Sequence, residues 1–364
     1  MRYGKVAVFS RPGEPVKIIE EEIRQPASDE ILVRVSMAGI CGSDVHRLKG
    51  DIPAHLDAVC FGHEAAGVIE SLGAEIKADS VDTPLAEGDM LYWMPLAPCG
   101  TCWECVNSSP IHCPNLNWPP PAGKPNGAGF RQYATLNKKC VYIRVPPDVS
   151  PENVIAFGCA MPTAFRGLKQ LGPISPQADI VVQGSGPVGL ACTFLASRAG
   201  ARSVIVIGDP AGRLEVASSL GATCTMSVAN TTAEMRLKKV RNLTEGRGAS
   251  IVVEAAGTVA AFPEGLNLLR TNGKYVIMGL YSGEATCSIN PVRINNFNLQ
   301  IIGSLGIDVD AFRQTVDMAS EHGGRFHFPE LITHRFPLDR LEEAIVLSGQ
   351  GIPIKAIILP NEDV

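Results

Sequence analysis

The sequence contains no apolar run as long as the roughly 18 residues that a membrane-spanning helix needs. It also has no long run of charges of one sign, and its formal net charge is only −5. These absences argue against a membrane protein and against nucleic-acid binding as the main activity. No internal repeat or low-complexity segment occurs, and the richest proline and glycine stretch, at 117–129, is predicted to be an irregular surface loop.

The N-terminal segment, MRYGKVAVFS, lacks the apolar core of a secretory signal peptide and is typical of a strand. Eleven cysteines are nevertheless present. Without an export signal, free thiols and metal ligands in a reducing compartment, the cytoplasm, are expected rather than disulfides. A chain of 364 residues also exceeds one ordinary hydrophobic core, so two domains are expected.

The residues most suited to metal chemistry concentrate between Cys41 and Glu64. They lie in the segments GICGSDVH at 39–46 and FGHEAAG at 61–67, which bring Cys41, His63 and Glu64 close together in the chain. A thiolate, an imidazole and a carboxylate suit zinc, and a site with few protein ligands keeps a position open for water or substrate. The alternative is a buried cysteine near an ordinary surface histidine.

A second cysteine cluster follows in the segment 99–113. Its spacing is C-x2-C-x2-C-x7-C, and its members are Cys99, Cys102, Cys105 and Cys113. Four thiolates in a compact loop are typical of a closed tetrahedral zinc site that stabilises a loop with little core of its own. An iron–sulfur cluster, which also takes four thiolates, is the competing interpretation. His112 is interpreted as a bystander.

The pattern of apolar residues changes near residue 178. Before it, short strands are predicted at 3–9, 16–23, 30–37, 65–71 and 90–94, so the segment 1–150 is expected to be mainly β. After it, apolar strands at 178–184, 203–209, 223–228, 250–257 and 274–280 alternate with helical segments. Repeated β–α units predict a parallel sheet with helices on both faces. The C-terminal segment, 305–364, is predicted to form two helices and two strands, whose pairing partners the sequence does not reveal.

The segment GSGPVG at 184–189 lies between a predicted strand and a predicted helix. In that context G-x-G-x-x-G predicts a dinucleotide site. Gly184 permits the tight turn, Gly186 lets the pyrophosphate approach the backbone, and Gly189 lets helix and strand pack closely. Pro187 and Val188 begin the helix, whose N-terminus is expected to face the phosphates.

Asp209 follows the glycine-rich segment near the end of the second strand, at the spacing where a carboxylate in this motif meets the adenosine ribose. A carboxylate there is expected to bind the ribose hydroxyls and to repel a 2′-phosphate, which favours NAD over NADP. Arg213 is a cation slightly further on. It is interpreted as lining the ribose, although a different loop path would let it accept a phosphate, and an ordinary solvated helix residue is the third possibility.

Taken together, these motifs resemble the zinc-containing medium-chain alcohol dehydrogenase family. The resemblance runs nearly from end to end and includes GCAMPTA at 158–164 and the closing KAIILP. It implies an α/β fold in which both ends of the chain, 1–160 and 304–364, form a GroES-like, mainly-β catalytic domain that carries the zinc loop 99–113. A Rossmann NAD-binding domain with a doubly wound parallel sheet is expected at 161–303.

The resemblance also implies roles for individual residues. Cys41, His63 and Cys159 correspond to the ligands of a catalytic zinc, and Glu64 to a carboxylate that approaches or replaces a ligand in some members. Polyol-type relatives use a glutamate near Cys159, but GCA stands here, so cysteine is favoured. Further residues have weaker implied roles, with an ordinary structural role as the alternative: Asp44 orienting the zinc histidine or capping a turn, and Thr163 packing against the nicotinamide.

The implied reaction is hydride transfer between an alcohol and NAD(H), in which zinc lowers the pKa of the bound alcohol. Ser43 corresponds to the first proton acceptor, and His46 with the cofactor ribose carries the proton outward, although an ordinary surface histidine is the alternative for His46. Two zinc ions per chain are implied, one catalytic and one structural. The expected partners are a small alcohol or carbonyl substrate and, by family habit, a second copy of the chain in a homodimer or homotetramer.

Two departures from the usual family pattern bear on the substrate. Gly42 follows Cys41, where enzymes for small primary alcohols often have arginine, and Asp209 stands one position later than usual. The segments VIVIGDP and LITHRFPL resemble a branch that includes hydroxycamphor dehydrogenase, which favours a bulky or cyclic secondary alcohol. Trp93, Trp118 and Leu280 are candidates for its pocket, with ordinary packing as the alternative for each.

Two other functions compete with this interpretation. The first is reduction of a conjugated C=C or C=N bond by NAD(P)H, which is expected to dispense with Ser43 or His46. The second is a non-catalytic NAD-binding protein, which is expected to lose its zinc ligands. The sequence retains all of these residues.

Overall fold

A computed structural model describes residues 1–52, 58–116 and 118–362. The strands, in chain order, are β1 Tyr3–Val8, β2 Lys17–Glu22, β3 Glu30–Gly39, β4 Ala65–Leu72, β5 Met90–Met94, β6 Tyr133–Asn137, β7 Val141–Arg144, β8 Asp179–Gln183, β9 Ser203–Gly208, β10 Cys224–Ser227, β11 Ala249–Glu254, β12 Leu269–Ile277, β13 Gln300–Gly303, β14 Ile332–Pro337 and β15 Lys355–Leu359.

The helices, in chain order, are α1 Gly42–Lys49, α2 Trp103–Asn107, α3 Pro151–Ile155, α4 Ala160–Lys169, α5 Pro187–Arg198, α6 Ala211–Ser219, α7 Ala233–Leu243, α8 Ala261–Leu268, α9 Pro291–Asn295, α10 Val309–His322 and α11 Leu341–Gly349. Short 3₁₀ turns occur at Pro110–His112, Phe328–Leu331 and Leu338–Arg340. None of these described helices is long and apolar enough to cross a membrane.

The chain divides into two compact units. The first combines Met1–Cys159 with Ile307–Val364, and the second is Ala160–Gly306. The domain junctions expected from the sequence, after residues 160 and 303, lie close to these divisions. The first unit contains every predicted metal-binding cysteine and histidine, and the second contains the glycine-rich turn.

The first unit is built on a seven-stranded sheet with β3 at its centre. The strand order is β14-β15-β3-β4-β5-β7, and β6 also pairs with β3. Strand β3 is long enough to have different neighbours along its length: its first half pairs with β6, and its last residues pair with β15. Its alternating apolar side chains, among them Ile31, Val33 and Val35, are fully buried in the core of this unit. The end of β3, where the candidate ligands begin, is therefore rigidly held.

Strand β15, which lies near the C-terminal end of the chain, joins this sheet beside β3. Ile357 pairs with Gly39 and Ile358 with Ala38, both in antiparallel register. Strand β14 then pairs in parallel with β15. The C-terminal segment thus completes the sheet that the N-terminal segment begins, and it places Lys355 beside the end of β3.

The second unit is a six-stranded parallel sheet in the order β10-β9-β8-β11-β12-β13. Its central strands are almost wholly apolar and buried, as expected when helices cover both faces; Ile180, Val181 and Val182 of β8 are examples. The chain proceeds from β8 to β9 and β10 in one direction and then returns to β11, β12 and β13 on the other side. The glycine-rich turn follows β8, where the strand order reverses and where ligands bind in such sheets.

Most strands predicted from the sequence lie where they were expected, but β6, β7 and β13 were not predicted, and one predicted strand has different bounds. The strand predicted at 274–280 begins at Leu269 and ends at Ile277, because its first part forms an irregular pairing with Ala249 of β11. The proline-rich loop is free of helices and strands over 118–129, apart from a single bridge between Val59 and Pro121. Position 117 lies outside the described residues.

Candidate metal centres and cofactor site

Four potential metal ligands from three separate segments meet at one point of the first unit. Cys41 follows β3 and is the N-cap of α1; His63 and Glu64 immediately precede β4; Cys159 immediately precedes α4. The ligand atoms of all four lie within 4.8 Å of one another. Pairing of β3 with β4 brings the first three together, and Glu64 fixes the junction further because its carbonyl accepts a hydrogen bond from Gly39 N at 2.8 Å.

The chemistry of this donor set fits zinc. The sulfurs of Cys41 and Cys159 are 3.5 Å apart, close to the roughly 3.8 Å between two thiolates bound at about 2.3 Å in a tetrahedron. The hydrogen bond from Cys159 lowers the pKa of Cys41 well below its usual range, and the same contact together with burial raises that of Cys159. Burial alone would lower the pKa of His63, but the Cys41 thiolate and the Asp44 carboxylate outweigh it and raise that pKa to about 9. The pocket is therefore organised for a cation.

Asp44 caps α1 and also lies close to His63. Its Oδ2 accepts a hydrogen bond from Cys41 N at 2.9 Å, which caps α1, and its Oδ1 lies 3.7 Å from His63 Nδ1. The side chain is 1% exposed, and burial raises its pKa to about 7. The carboxylate thus fixes the ligand-bearing end of α1 and also faces the ring nitrogen of the candidate ligand histidine.

Glu64 is held by two donors that were not predicted from the sequence. Its Oε1 accepts a hydrogen bond from Cys159 N at 2.9 Å, and its Oε2 forms an ion pair with Lys355, whose ammonium also donates to the carbonyl of Ile40 at 3.1 Å. Both charged side chains are 2% exposed. Gly158 makes the approach possible, since a Cβ there would meet the Glu64 carboxylate at 2.2 Å. A lysine within the otherwise apolar final strand, PIKAIIL, is the signal that could have revealed this pair.

The second cysteine cluster forms a compact sulfur cage. Cys102 Sγ lies 3.4 Å from Cys105 Sγ and 3.7 Å from Cys113 Sγ, and Cys99 Sγ lies 3.9 Å from Cys105 Sγ. These separations match the edges of a tetrahedron of zinc-bound thiolates, about 3.8 Å. The backbone N–H groups of Thr101 and Cys102 lower the pKa of Cys99 to about 5. His112 does not belong to the group of four that the described residues form.

The predicted proton-transfer residues share one short helix. Ser43 and His46 are three positions apart on α1, so their side chains lie on the same face. Both side chains are partly buried and remain within reach of solvent. The ring nitrogen Nδ1 of His46 lies 3.0 Å from Oδ2 of Asp51, a residue that the sequence analysis did not select.

The glycine-rich turn has the geometry that a dinucleotide site requires. Gly184 has φ +107°, and a Cβ there would meet the backbone of Ala255 at 2.7 Å; a Cβ at Gly189 would meet Gly184 O at 1.9 Å. A Cβ at Gly186 would meet nothing within 4 Å, so this position faces open space. Pro187 and Val188 are the first residues of α5, whose N-terminus opens onto that space. The turn therefore fits a pyrophosphate.

The other predicted cofactor residues lie near the same sheet edge or on α4. Asp209 directly follows β9, and its two oxygens accept hydrogen bonds from Ser227 Oγ at 2.7 Å and Ala229 N at 2.8 Å. Each oxygen retains the capacity to accept a second bond. Arg213 is partly buried on α6, and burial lowers its pKa. Thr163 is a partly buried residue near the start of α4.

Of the three pocket candidates, Trp118 is next to the first metal cluster and Trp93 is a core residue. The Trp118 ring packs edge-on to His63 with 6.1 Å between ring centroids. Trp93 is fully buried in β5, and its Nε1 donates to Gly127 O at 2.8 Å, so of the two possibilities left open for it the structure favours ordinary core packing. Leu280 is partly buried in the second unit, just after β12.

Comparisons with known proteins agree with this description. Residues 27–147 match the alcohol dehydrogenase GroES-like domain family, and residues 187–321 match the zinc-binding dehydrogenase family. The chain is 38% identical to 5-exo-hydroxycamphor dehydrogenase of Pseudomonas putida over 98% of this chain and 99% of that protein. An alcohol dehydrogenase from Thermotoga maritima is 28% identical and superposes with a TM-score of 0.89, covering 99% of this chain and 100% of the other.

A third relative was solved with its cofactor. It is an alcohol dehydrogenase from E. coli CFT073 in complex with NADH, 25% identical, with a TM-score of 0.81 over 98% of this chain and 99% of the other. Together these similarities confirm the predicted fold class, a GroES-like domain combined with a Rossmann domain.

The ion pair between Glu64 and Lys355 leads to a stability prediction. Replacing Lys355 by Met should lower the free energy of unfolding by about 3–5 kcal/mol, because it leaves a buried carboxylate without its counter-charge. Adding Glu64→Gln to that variant should recover most of the loss. Denaturant unfolding of the zinc-saturated protein, followed by tryptophan fluorescence, is a suitable measurement because Trp93, Trp103 and Trp118 all lie in the first unit.

The matched control is the exposed ion pair between Lys138 and Glu75, whose side chains are 50% and 54% exposed. Lys138→Met should leave the free energy of unfolding nearly unchanged, because solvent screens an exposed pair. Equal effects of the two lysine substitutions would contradict the proposed importance of the buried pair.

Proposed function

Because the chain belongs to the zinc-containing medium-chain alcohol dehydrogenase family, we propose that it transfers a hydride between a bulky or cyclic secondary alcohol and NAD(H). The observation that carries this proposal is the cluster of Cys41, His63 and Cys159 beside a restrained Glu64. Both oxygens of Glu64 are held by other donors. Three permanent ligands and one exchangeable position are what a catalytic zinc requires, whereas a closed structural site uses four fixed ligands.

The proposed roles in catalysis follow from the positions of the side chains. Cys41, His63 and Cys159 would hold the zinc, which when bound supplies a Lewis acid that lowers the pKa of the substrate hydroxyl. Ser43 accepts the hydroxyl proton, and His46, one helical turn away, carries it outward. Asp44 keeps His63 oriented. Glu64 contributes its negative charge beside the three zinc ligands while it stays paired with Lys355. The protein thus mainly positions the reactants and moves a proton.

NAD is proposed as the cofactor in preference to NADP. Asp209 lies at the end of β9, and its carboxylate is anchored by Ser227 and Ala229 at the sheet edge where the ribose is expected. A 2′-phosphate at this position would meet a fixed negative charge. The open space beside Gly186 and the N-terminus of α5 would receive the pyrophosphate.

Two observations support a bulky or cyclic secondary alcohol as the substrate. The relative with 38% identity acts, by its name, on 5-exo-hydroxycamphor, a cyclic secondary alcohol. In this chain, the indole of Trp118 lies edge-on to His63 and supplies a broad apolar wall beside the candidate zinc site. Such a wall contributes contact area to a ring and little to a polyol.

A substrate panel tests the proposal. NAD⁺ reduction should be fastest with 5-exo-hydroxycamphor or cyclohexanol, slower with butan-2-ol and ethanol, and weakest with sorbitol; NADP⁺ should be the poorer cofactor. Trp118→Ala should lower kcat/KM for the cyclic alcohols at least about tenfold, as expected for loss of a large apolar contact, and should affect ethanol much less. The absorbance of NADH gives the rates.

Asp209→Ala tests the cofactor preference, and it should lower the ratio of activity with NAD⁺ to activity with NADP⁺. Absence of turnover with every alcohol by zinc-replete protein would overturn the proposal. It would redirect attention to NAD(P)H-dependent reduction of a conjugated C=C or C=N bond.

Two zinc ions per chain are proposed, with the second held by Cys99, Cys102, Cys105 and Cys113. The regular sulfur–sulfur separations of 3.4 to 3.9 Å support a single tetrahedral ion there rather than an iron–sulfur cluster. None of the eleven cysteines, all of which lie in the described part of the chain, forms a disulfide, which supports a reducing compartment such as the cytoplasm.

Elemental analysis should find two zinc ions and no iron in the purified protein. Cys105→Ser should reduce the zinc content to about one per chain and lower the unfolding midpoint, because metal-binding free energy contributes to folding. Cys140→Ser, at a buried cysteine outside both clusters, should retain both ions. Retention of two ions by Cys105→Ser would contradict the assignment.

A homodimer or homotetramer is proposed through the exposed edge of the second unit's sheet. Strand β13 ends the strand order among the described residues, so its outer hydrogen-bonding groups have no strand partner there. Ile301 on β13 and Leu305 just after it are 37% and 56% exposed, and Val292 on α9 is 52% exposed. Large exposed apolar side chains beside an open edge favour pairing with a second copy.

Light scattering should give a mass of at least twice the 38.7 kDa of one chain. Ile301→Lys combined with Leu305→Glu should shift the mass toward one chain. Val228→Lys, an exposed position just after the strand at the opposite edge, is the control and should leave the mass unchanged. A monomeric wild-type protein would exclude the proposed assembly.

A further inference from the structure

The end of α1 folds back onto its own proton-carrying residue. Gly50 adopts a left-handed conformation with φ +85°, and its N–H bonds to the carbonyls of Arg47 and His46. The next residue, Asp51, then donates its backbone N–H to His46 O at 2.9 Å. Its side chain brings Oδ2 to 3.0 Å from His46 Nδ1. The backbone and side chain of Asp51 therefore both contact the same histidine.

This return of the chain requires glycine at position 50. The left-handed conformation is strained for other residues, and a Cβ at Gly50 would meet Pro12 Cγ at 2.8 Å. The resulting C-terminal turn places the carboxylate of Asp51 next to the ring that it contacts. The contact is therefore specified by the helix end itself, since Asp51 N is bound to His46 O within the same turn.

We propose that Asp51 is a positioning residue for proton transfer, which holds His46 in one orientation and keeps the ring proton on Nδ1. The inference rests on the proposed function for the role of His46. A carboxylate accepts a hydrogen bond and cannot donate one when ionised, so the nitrogen facing it must carry the proton. In the neutral ring, Nε2 then holds the lone pair and is the atom that accepts a proton arriving from the side of Ser43.

The proton balance of the step is simple. An N–H bond forms at Nε2 as the incoming proton arrives, and the N–H bond at Nδ1 weakens as Asp51 shares its proton. When that proton passes to Asp51 and then to water, the ring returns to the neutral state with its proton on Nε2. Loss of the Nε2 proton to water and return of a proton from water to Nδ1 then restore the starting form. Asp51 is suited to the exit because its side chain is 40% exposed, while that of His46 is 32% exposed.

The charges near His46 make a carboxylate partner useful. The last turn of α1 also carries Arg47 and Lys49, both cationic. The Arg47 guanidinium lies 5.4 Å from the Phe61 ring centroid, so it stays close to this region. Asp51 places a carboxylate, opposite in sign to these two side chains, against the ring of His46. The C-terminal end of the helix dipole acts in the same favourable direction.

Nitrogen NMR of the zinc-loaded protein tests the tautomer directly. With ¹⁵N-labelled histidine at about pH 9, where an ordinary imidazole is neutral, His46 should show a protonated Nδ1 and an unprotonated Nε2. His46→Gln identifies the signal. In Asp51→Ala the proton should move predominantly to Nε2, the form that free imidazole side chains favour, whereas Asp51→Glu should restore part of the wild-type pattern.

The matched control is the exposed pair of His327 and Glu330, whose Nδ1 and Oε1 atoms are 3.4 Å apart. Glu330→Ala should leave the His46 signals unchanged. A protonated Nε2 in the wild type, or an unchanged His46 pattern in Asp51→Ala, would overturn the inference. Neither result depends on turnover, so failure of the proposed function would not be mistaken for failure of the contact.

Kinetics with the best alcohol of the panel tests whether Asp51 contributes to the reaction rate through His46. Asp51→Ala should lower kcat about tenfold, a fraction of the roughly 10²–10⁴ that a general acid–base group contributes, with little change in KM. Combining it with His46→Gln should cause no loss beyond that of His46→Gln alone, because both act on one step. Multiplying losses in the double variant, or full activity of Asp51→Ala, would contradict the proposal.

Discussion

The buried ion pair between Glu64 and Lys355 is the interaction on which the candidate catalytic site depends. It joins a strand near the C-terminal end to the segment that carries His63, and the same ammonium reaches the carbonyl of Ile40, next to Cys41. Burial opposes the charge on Lys355, but Glu64 and Cys41 outweigh burial and raise the pKa of the ammonium. An ion pair buried away from water is stable only when its remaining hydrogen bonds are satisfied. Here Cys159 N and Ile40 O provide two of them. The sheet therefore carries, at Lys355, the positive charge that balances the thiolates.

The short helix α1 concentrates the remaining site chemistry. Cys41 caps its start, Asp44 closes that cap and faces His63, and Ser43 and His46 share one face. At its end, the left-handed turn at Gly50 returns Asp51 to His46. The residues proposed for metal binding and proton transfer on this side of the site therefore belong to one short element whose two ends are both defined by side-chain contacts. The element is anchored because β3, which delivers it, is the central strand of its sheet.

Several features were predictable because they depend on local spacing. The four-cysteine cluster, the group of Cys41, His63 and Glu64, the glycine-rich turn and most strands follow from residues close together in the chain, where spacing restricts geometry. Cys159 was added to the first group only by the family resemblance. Trp93 shows the limit of this reasoning: local spacing left open whether this tryptophan lines a pocket or packs in the core, and in the structure the last four residues of β5 are all buried, so Trp93 lies in the core. The early start of β12 was also missed, because its first residues pair irregularly and lack an alternating pattern.

By itself, the sequence determined the donor types, the nucleotide-binding turn and the two-part organisation, since each is written in short motifs. The tertiary structure decided which charged side chains lie against the residues of those motifs. Glu64 and Lys355 lie far apart in the chain, and only the pairing of β15 with β3 brings them into contact. Likewise, the distance between Asp44 and His63 depends on how their separate segments pack; in the structure Asp44 caps α1 and its Oδ1 lies 3.7 Å from His63 Nδ1. Such contacts arise from sheet register and burial, which act between distant segments and leave little trace in local residue patterns.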